Sequence, residues 1–382
     1  MADAAQRDRQ AHLPVEQAAM RRALQIAQTP GVALGPNPRV GCVLLDATGV
    51  EVAEGFHRGA GQPHAEIEAL QAYGAPATGL TAVVTLEPCN HTGRTGPCAQ
   101  ALIEAGVRRV VFGQPDPNPV AAGGAATLAS AGVEVAGGLL EDEARAVNRA
   151  WTFAVDHGRP FVTWKFAVSL DGRSAAADGT SRWVSNLAAR RDTHALRAQC
   201  DVVLAGTGTV VVDDPQLSVR DEVDEPVPRD QQPLRAVMGL RDVPEQSRVL
   251  DDSADTVHLR TRDPEKALAE LFDLDRRHVL LEGGPRLAAA FLEAGLVDEV
   301  VGYVAPLLVG GGTHAVEGLP IGTIADAVQL DVADVVVLGT GGDRNVRLTM
   351  TPRRTADQAD RAARANRADR ADQAEAATAE ER

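Results

Sequence analysis

The chain reads Pro63-His64-Ala65-Glu66 and, further on, Glu87-Pro88-Cys89-Asn90-His91-Thr92-Gly93-Arg94-Thr95-Gly96-Pro97-Cys98. A neutral imidazole and two thiolates hold Zn²⁺ tightly, and a site with only three protein ligands keeps its fourth position for a reactive water. The pattern therefore predicts a catalytic zinc site made by His64, Cys89 and Cys98. Glu66 is the predicted proton carrier of that site.

Two other interpretations of these residues stay open at this level. Taken singly, a histidine at a helix start and two cysteines are ordinary surface and core residues. A structural zinc site is the second alternative, with His91 as a fourth ligand, but it gives Glu66 no role. The combination of all four residues favours the catalytic site.

Length and composition restrict the class of protein. The 382 residues are 44% hydrophobic, which is enough for two domains with their own cores. A net charge of −15 disfavours broad binding to nucleic acid or anionic membranes, so small-molecule chemistry fits better. No secretory signal or membrane span is evident, and Cys42 and Cys200 lie in or beside apolar runs as core thiols would. We therefore expect a cytoplasmic protein.

Helices and strands alternate through the first half of the chain. The residue spacing and turn signals predict helices over 15–28, 64–73 and 98–105 and strands over 40–46, 50–55, 81–86 and 109–113. His64 and Glu66 then open one helix and Cys98 another. Because a helix N-terminus favours thiolates, this arrangement supports metal binding at one edge of an α/β layer.

A second series of elements begins near Gly158-Arg159-Pro160. We expect strands over 161–167, 201–205, 278–281 and 297–304, helices over 187–199 and 286–294, and an acidic surface loop over 221–232. The resulting division is a flexible N-terminus (1–14), two domains (15–158 and 159–352) and a tail (353–382). The tail has hardly a large apolar side chain, so we expect it to be disordered or transiently helical.

The first half resembles a known enzyme family. His-x-Glu followed by Pro-Cys and a second cysteine is the signature of zinc-dependent nucleobase deaminases. The long interval between the cysteines resembles the pyrimidine deaminase of riboflavin biosynthesis, as do Pro36-Asn37-Pro38-Arg39-Val40-Gly41-Cys42 and Asp116-Pro117-Asn118-Pro119. The resemblance implies a cytidine-deaminase-like three-layer αβα domain, in which Asn37 orients the substrate.

The second half resembles the reductase domain of the same pathway, a relative of dihydrofolate reductase with an α/β fold. Three stretches carry this resemblance: Lys165-Phe166-Ala167-Val168-Ser169-Leu170-Asp171-Gly172-Arg173, Thr209-Val210-Val211-Val212-Asp213-Asp214-Pro215-Gln216-Leu217 and Glu282-Gly283-Gly284-Pro285-Arg286-Leu287-Ala288. Together the two resemblances cover about residues 15 to 350.

The second resemblance implies a set of binding residues. It implies NADPH contacts at Ala167, Trp183, Thr209, Asp213, Gly284, Pro285, Arg286, Leu287, Ala288, Ala289 and Ala290, and substrate contacts at Ser181, Arg197, Leu217, Arg220 and Glu282. Guanidinium groups at Arg197 and Arg220 suit a phosphate, and Glu282 at the end of an apolar strand needs a partner such as a ribose hydroxyl. Glycines before a helix let N–H groups approach an anion, although no Rossmann fingerprint is present.

The chain departs from these relatives at two places. The run Val120-Ala121-Ala122-Gly123-Gly124 is shorter than usual after the Asp-Pro-Asn-Pro motif, so we expect altered loop geometry with activity retained. Relatives often carry an Asp-Ser pair where this chain has Gly239-Leu240, which leaves the preference between NADPH and NADH open.

The expected function is thus a bifunctional enzyme with Zn²⁺ and NADPH as cofactors. Its substrate would be a phosphorylated pyrimidine, deaminated by the first half and reduced on its ribosyl side chain by the second. Neither nucleic acid nor membrane is an expected partner, and the family suggests a homo-oligomer, dimeric or larger. Two alternatives remain: an active deaminase with a degenerate, dimerising reductase half, and a non-catalytic zinc-stabilised binding module.

Overall fold

The structure is a computed structural model that describes residues 12–32, 35–91, 96–181 and 184–353. Trp183, residues 1–11 of the expected flexible N-terminus and residues 354–382 of the expected tail lie outside the described residues. The chain divides into two compact units, Met1–Asp156 and His157–Arg382. In the described part, no helix is both long and apolar enough to cross a bilayer.

The first unit contains five strands and six helices among its described residues. The strands are β1 (Gly41–Leu45), β2 (Glu51–Phe56), β3 (Thr81–Leu86), β4 (Arg109–Gln114) and β5 (Glu134–Ala136). The helices are α1 (Pro14–Ala27), α2 (Ala65–Tyr73), α3 (Cys98–Glu104), α4 (Gly124–Ser130), α5 (Glu141–Val147) and α6 (Arg149–His157, which ends at the unit boundary). These bounds agree to within one or two residues with every helix and strand predicted for this half.

One sheet with the order β2-β1-β3-β4-β5 forms the middle layer of this unit. Every residue of the central strands β1 and β3 is buried. Because alternate side chains point to opposite sides, both faces of the sheet must be covered. Cys42 and Leu44 pack against α2, α3 and α4, whereas Val43 and Leu45 pack against α1 and α5. Helices therefore cover both faces of the sheet and give a three-layer αβα arrangement.

The second unit is built around a larger sheet. Its strands are β6 (Phe161–Ser169), β7 (Arg173–Ala175), β8 (Val202–Gly206), β9 (Leu234–Met238), β10 (Thr256–Leu259), β11 (His278–Leu281), β12 (Glu299–Ala305), β13 (Thr313–His314), β14 (Leu330–Thr340) and β15 (Asp343–Pro352). Its helices are α7 (Leu187–Arg197), α8 (Thr207–Asp213), α9 (Pro264–Asp273) and α10 (Pro285–Glu293), with 3₁₀ turns at Arg229–Gln231, Arg248–Leu250 and Ile324–Asp326.

The large sheet has the order β10-β9-β8-β11-β6-β12-β15-β14. Its first six strands run parallel, and the hairpin β14–β15 adds two antiparallel strands at one edge. Helices α9 and α10 cover the apolar face that includes Trp164, Leu204 and Leu281, while α8 covers part of the other. The chain turns to one side after β8 and to the other after β11, and open α/β sheets generally bind ligands outside the carboxyl ends of the strands at such a point.

Candidate active sites

Three segments that are far apart in sequence bring the predicted zinc ligands together. His64 is the residue before α2, Cys98 is the first residue of α3, and Cys89 follows β3. Their ligand atoms all lie within 4.8 Å of one another, and His64 Nδ1 is 3.2 Å from Cys98 Sγ and 3.6 Å from Cys89 Sγ. Because neighbouring ligands of tetrahedral zinc lie about 3.5 Å apart, this donor set fits the ion.

The two thiols are electrostatically coupled. A hydrogen bond from Cys98 lowers the pKa of Cys89 to about 4, and the same bond raises the pKa of Cys98, because the pair shares one proton. The backbone N–H of Cys98 also donates to Cys89 Sγ at 3.4 Å. One thiolate is thus already stabilised, and a divalent cation between the sulfurs would displace the remaining proton.

Glu66 lies in the first turn of α2, beside this cluster. Its side chain is almost fully enclosed, with 3% of the residue exposed, and burial raises its pKa to about 6. A carboxyl group with a pKa near neutrality can both accept and return a proton at working pH. The geometry is therefore compatible with the proton-transfer role predicted for Glu66.

A cavity of about 310 Å³ opens onto Glu66 and the predicted ligands, and its size suits a small heterocycle. Apolar and polar groups alternate around its wall: Pro36, Asn37, Pro38, Val40, His57, Ala60, Gly61, Gln62, His64, Glu66, Leu86, Glu87, Cys89, His91, Asp116, Asn118, Ala121 and Trp151. The indole Nε1 of Trp151 donates to Pro36 O at 3.0 Å and so holds one side of the wall in place.

His57 belongs to this site although the sequence analysis did not single it out. Its Nδ1 lies 2.9 Å from Pro63 O, and its Nε2 lies 2.9 Å from Asn37 Nδ2. Burial lowers the pKa of His57, so the ring is neutral, donating to Pro63 and accepting from Asn37. This contact fixes the amide of Asn37 in the cavity wall. No local motif predicts the contact between His57 and Asn37, since the two residues are twenty positions apart.

Glu87, which no motif in the sequence singled out, anchors the loop for which the resemblance predicts an altered geometry. Its carboxylate accepts hydrogen bonds from the backbone N–H groups of Asp116, Gly123 and Ala125. A Cβ atom on Gly124 would lie only 1.8 Å from Pro88 O, so this loop packs directly on the segment that carries Cys89. The loop is thus firmly held against the predicted zinc site.

In the second unit, two predicted cofactor residues lie close together where the turn after β11 meets α8. Gly284 ends the turn after β11, and a Cβ atom placed on it would lie 3.5 Å from Thr209 Oγ1 in α8. Asp213 ends α8, and Ala167 is half-buried in β6. Ligands of parallel α/β sheets bind at such a position.

The predicted stretch Gly284–Ala290 has a mixed environment. Ala288 and Ala289 are buried, and the N–H groups of Leu287 and Ala288 bond to Gly284 O. Pro285 has no N–H. Contact with a phosphate through the backbone at this helix start would therefore involve Gly284 and Arg286.

The structure gives a steric reason for the departure at Gly239. This glycine follows β9 with φ +149°, and a Cβ atom on it would lie 2.5 Å from Thr207 Oγ1. Any side chain here would press on the start of α8. The Asp-Ser pair that the resemblance leads us to expect would therefore not fit this backbone without movement.

Glu282 has protein partners of its own. Arg197 contacts it at two points, with Nε 2.5 Å from Oε1 and Nη2 3.0 Å from Oε2, and Lys165 Nζ lies 3.8 Å from Oε2. Burial alone would raise the pKa of Glu282, but the charges of Arg197 and Lys165 bring it to about 2. The position of Glu282 in the sequence predicts a ribose hydroxyl as its partner. In the structure, these two cations already compensate the charge of the buried carboxylate.

Arg197 also connects Glu282 to the segment of Leu217 and Arg220. Its Nη1 donates to Ser218 O at 2.7 Å, and Arg220 N donates to His194 Nδ1 at 3.2 Å. Leu217 is buried with φ +54°, a backbone conformation that costs a leucine energy and is common at functional sites. Four predicted substrate residues are thus brought together. Among the described residues, no hydrogen bond connects Ser181 to them.

Each half of the chain matches a known protein family. The cytidine and deoxycytidylate deaminase zinc-binding region matches residues 14–114, and the RibD C-terminal domain matches residues 160–342. The riboflavin biosynthesis protein RibD of Mycobacterium tuberculosis (strain ATCC 25618 / H37Rv) is 48% identical over 305 residues, which cover 80% of this chain and 89% of that protein.

Two solved structures are also similar. Acinetobacter baumannii RibD superposes with a TM-score of 0.81 at 37% identity, covering 90% of this chain and 100% of that one. A Thermotoga maritima diaminohydroxyphosphoribosylaminopyrimidine deaminase/5-amino-6-(5-phosphoribosylamino)uracil reductase gives 0.79 at 31%, covering 89% and 99%. The predicted fold class, a cytidine-deaminase-like domain followed by a dihydrofolate-reductase-like domain, is confirmed. The chain belongs to the RibD family of riboflavin biosynthesis proteins.

Proposed function

We propose that this chain catalyses two successive steps of riboflavin biosynthesis. The first unit deaminates 2,5-diamino-6-(5-phosphoribosylamino)pyrimidin-4(3H)-one. The second reduces the ribosyl side chain of that product with NADPH and gives 5-amino-6-(5-phosphoribitylamino)uracil. The observation that carries the proposal is the convergence of three metal-ligating side chains on one cavity, beside a buried carboxyl group.

In the deamination, His64, Cys89 and Cys98 would hold zinc. A bound zinc ion lowers the pKa of its water toward neutrality and so supplies a hydroxide nucleophile. With zinc bound, Glu66 would accept a proton from that water on its carboxylate and pass it to a ring nitrogen as the amino-bearing carbon is attacked. It would then take the proton of the newly formed C–OH group and deliver it to the amino group, so that the C–N bond breaks, ammonia leaves and the ring carbonyl forms. Asn37, fixed by His57, orients the pyrimidine in the cavity.

In the reduction, NADPH supplies the hydride. We assign the cofactor to the carboxyl ends of β8 and β11, where Thr209 and the turn at Gly284 lie close together. Arg220 would contact the substrate phosphate. Glu282, held by Arg197 and Lys165, would face the ribose hydroxyls. The residues of this half thus orient the two reactants and exclude water, without a metal ligand.

Three further proposals concern the molecule as a whole. We place the deaminase domain at 15–158 and the reductase domain at 159–352. A cytoplasmic location is supported by the cysteines, because all four are free and buried, as a reducing compartment favours. Assembly into a homo-oligomer is supported by the exposed valines of the edge strand β14.

The experiment that tests the main proposal follows both products in one reaction. Purified, zinc-loaded full-length protein is incubated with the diamino pyrimidinone phosphate and NADPH, and ammonia and NADPH oxidation are recorded. We expect ammonia first and then equimolar NADPH oxidation. Ammonia without NADPH oxidation would support the degenerate-reductase alternative. A zinc-loaded sample that releases no ammonia would contradict the deaminase assignment.

A further inference from the structure

Two arginine side chains in the second unit converge on one neutral oxygen. Arg220 Nη2 donates to Gln216 Oε1 at 2.9 Å, and Arg248 Nη2 donates to the same atom at 3.4 Å. The hydroxyl of Ser218 is a third donor to this oxygen, at 3.2 Å. Two guanidinium groups are therefore held side by side on an amide oxygen that carries no charge to balance them.

The carboxylates around this pair do not neutralise it. The carboxylate of Asp224 lies 4.0 Å from Arg220 and is largely exposed, so it contributes little. Asp214 accepts the backbone N–H of Arg248, and in the described structure Arg248 forms no ion pair. Asp251 is already bound to the buried Arg235 at 2.7 Å. These carboxylates are exposed or engaged by other groups, so the two guanidinium groups lie close together with little direct charge compensation.

The side chain of Gln216 is itself fixed. Its Nε2 donates to Asp251 Oδ2 at 2.7 Å, and Asp251 is held by Arg235, one of the most deeply buried side chains of the unit. The amide therefore cannot rotate without losing this bond. Its oxygen is kept pointing at the two arginines.

The pair is adjacent to the predicted substrate residues. The carbonyl of Ser218, two residues before Arg220, accepts from Arg197, which contacts Glu282. A phosphate dianion matches two guanidinium groups in charge and in hydrogen-bonding geometry. Such an anion would also relieve the repulsion between them.

We propose that Arg248 joins Arg220 in binding the phosphate of the reductase substrate, and that Gln216 is the positioning residue that holds both guanidinium groups. This inference rests on the proposed function of the second unit. It adds to that function a second phosphate ligand, contributed by the 3₁₀ turn Arg248–Leu250.

The test measures kcat and KM for NADPH oxidation by the full-length protein. The substrates are 5-amino-6-(5-phosphoribosylamino)uracil and its dephosphorylated form. Removing a hydrogen bond to a charged group raises KM about tenfold, so we expect this for Arg248→Met with the phosphorylated substrate. For the same Arg248→Met variant, we expect kcat and the KM for NADPH to stay unchanged. Arg248→Lys restores part of the affinity, and Gln216→Met raises KM like Arg248→Met.

Controls keep the outcomes distinct. Arg191→Met removes an exposed arginine on α7 and leaves every constant unchanged, and thermal melting shows that each variant is folded. An unchanged KM in folded Arg248→Met, or an equal rise with the dephosphorylated substrate, overturns the inference. If Arg220→Met also leaves KM unchanged, the phosphate assignment in the proposed function fails as well. Absence of NADPH oxidation by the wild type refutes the proposed function itself.

Discussion

Glu66 and Glu68 begin the same helix, α2, yet their surroundings differ completely. Glu66 is enclosed beside the predicted zinc ligands, and burial raises its pKa to about 6. Glu68 Oε1 lies 2.8 Å from Nε of the exposed Arg58. Two identical side chains, two positions apart, therefore have different environments: one lies beside the predicted zinc ligands and the other forms an ion pair with Arg58.

Replacing Glu66 by Gln removes the proton carrier and keeps the shape of the side chain. We expect ammonia release to fall about a thousandfold, because general acid–base catalysis contributes on this order. Zinc content stays at the wild-type value, since the ligands are untouched. NADPH oxidation with the deaminated intermediate is also unaffected, because it takes place in the second unit.

The matched control for this change is Glu68→Gln, which alters the same helix turn on its outer side. We expect normal ammonia release from that variant. Equal activity of Glu66→Gln and wild type would refute the catalytic assignment and favour a non-catalytic zinc module.

Arg235 offers a second test at the residue scale, on stability. Its guanidinium group is completely buried and bonds to Asp251 Oδ1, Asp251 O and Ala254 O. Arg235→Met removes the buried ion pair with Asp251 and the donors to the two carbonyl oxygens, and we expect the free energy of unfolding of the second unit to fall by about 3 kcal/mol.

Urea denaturation followed by circular dichroism measures this loss. Arg229→Met is the control, because Arg229 pairs with Asp255 on the surface, where both side chains are mostly exposed. If the two substitutions lower the free energy of unfolding equally, the burial of Arg235 does not explain its contribution to stability.

At the scale of helices and strands, local sequence signals predicted thirteen of the twenty-five helices and strands that the structure describes; α4–α6, α8 and α9 are among those that were not predicted. Apolar runs bounded by turn residues predicted β3 at its observed bounds, and the first helix differs from its predicted bounds by one residue at each end. The hairpin β14–β15 was not predicted. Most residues of β14 are exposed, so its alternation of apolar residues carries little information about pairing.

The residues of the sites show the same difference between local sequence signals and contacts that depend on the fold. Motif spacing alone pointed to His64, Glu66, Cys89 and Cys98, and the structure brings all four together. The pairing of Arg197 with Glu282 joins residues that are 85 positions apart. Such pairings depend on the order of strands in the sheet, which no local pattern encodes.

The packing of α4 on the predicted zinc segment gives a prediction at this scale. Gly124→Ala places a methyl group against Pro88 O, where a Cβ atom would be 1.8 Å away. Relief of this clash must displace either α4 or the segment before Cys89. We expect lower zinc affinity and a loss of about 1–3 kcal/mol in stability, as overpacking usually costs.

Zinc titration in the presence of a competing chelator measures the affinity. Gly96→Ala is the control, because a Cβ atom there meets no atom of the described residues within 4 Å. If the two alanine variants bind zinc equally well, close packing at Gly124 does not support the metal site.

For the whole molecule, the division into two units predicts that the two activities respond separately to metal removal. All predicted zinc ligands belong to Met1–Asp156, and the predicted hydride-transfer residues belong to His157–Arg382. Treatment with a chelator should abolish ammonia release and leave NADPH oxidation with the deaminated intermediate unchanged. Added zinc should restore the first activity. Loss of both activities together would contradict this independence.

The edge of the large sheet gives a prediction about assembly. Strand β14 is the last strand on its side, and Val335 and Val337, two positions apart on it, are each more than half exposed. An exposed apolar edge strand favours pairing with a second copy. We expect the wild type to sediment as a dimer or larger assembly and the double variant Val335→Lys/Val337→Lys to sediment as a monomer. A monomeric wild type would refute the proposal.

The strand order of the second unit also has a consequence for synthesis on the ribosome. Strand β6 is the first of its sheet to be made, yet its two neighbours, β11 and β12, begin only at His278 and Glu299. Until those segments leave the ribosome, the nascent chain exposes an apolar strand with no partner. A chain stopped before His278 therefore has no partner for this strand, which makes it a target for aggregation and proteolysis.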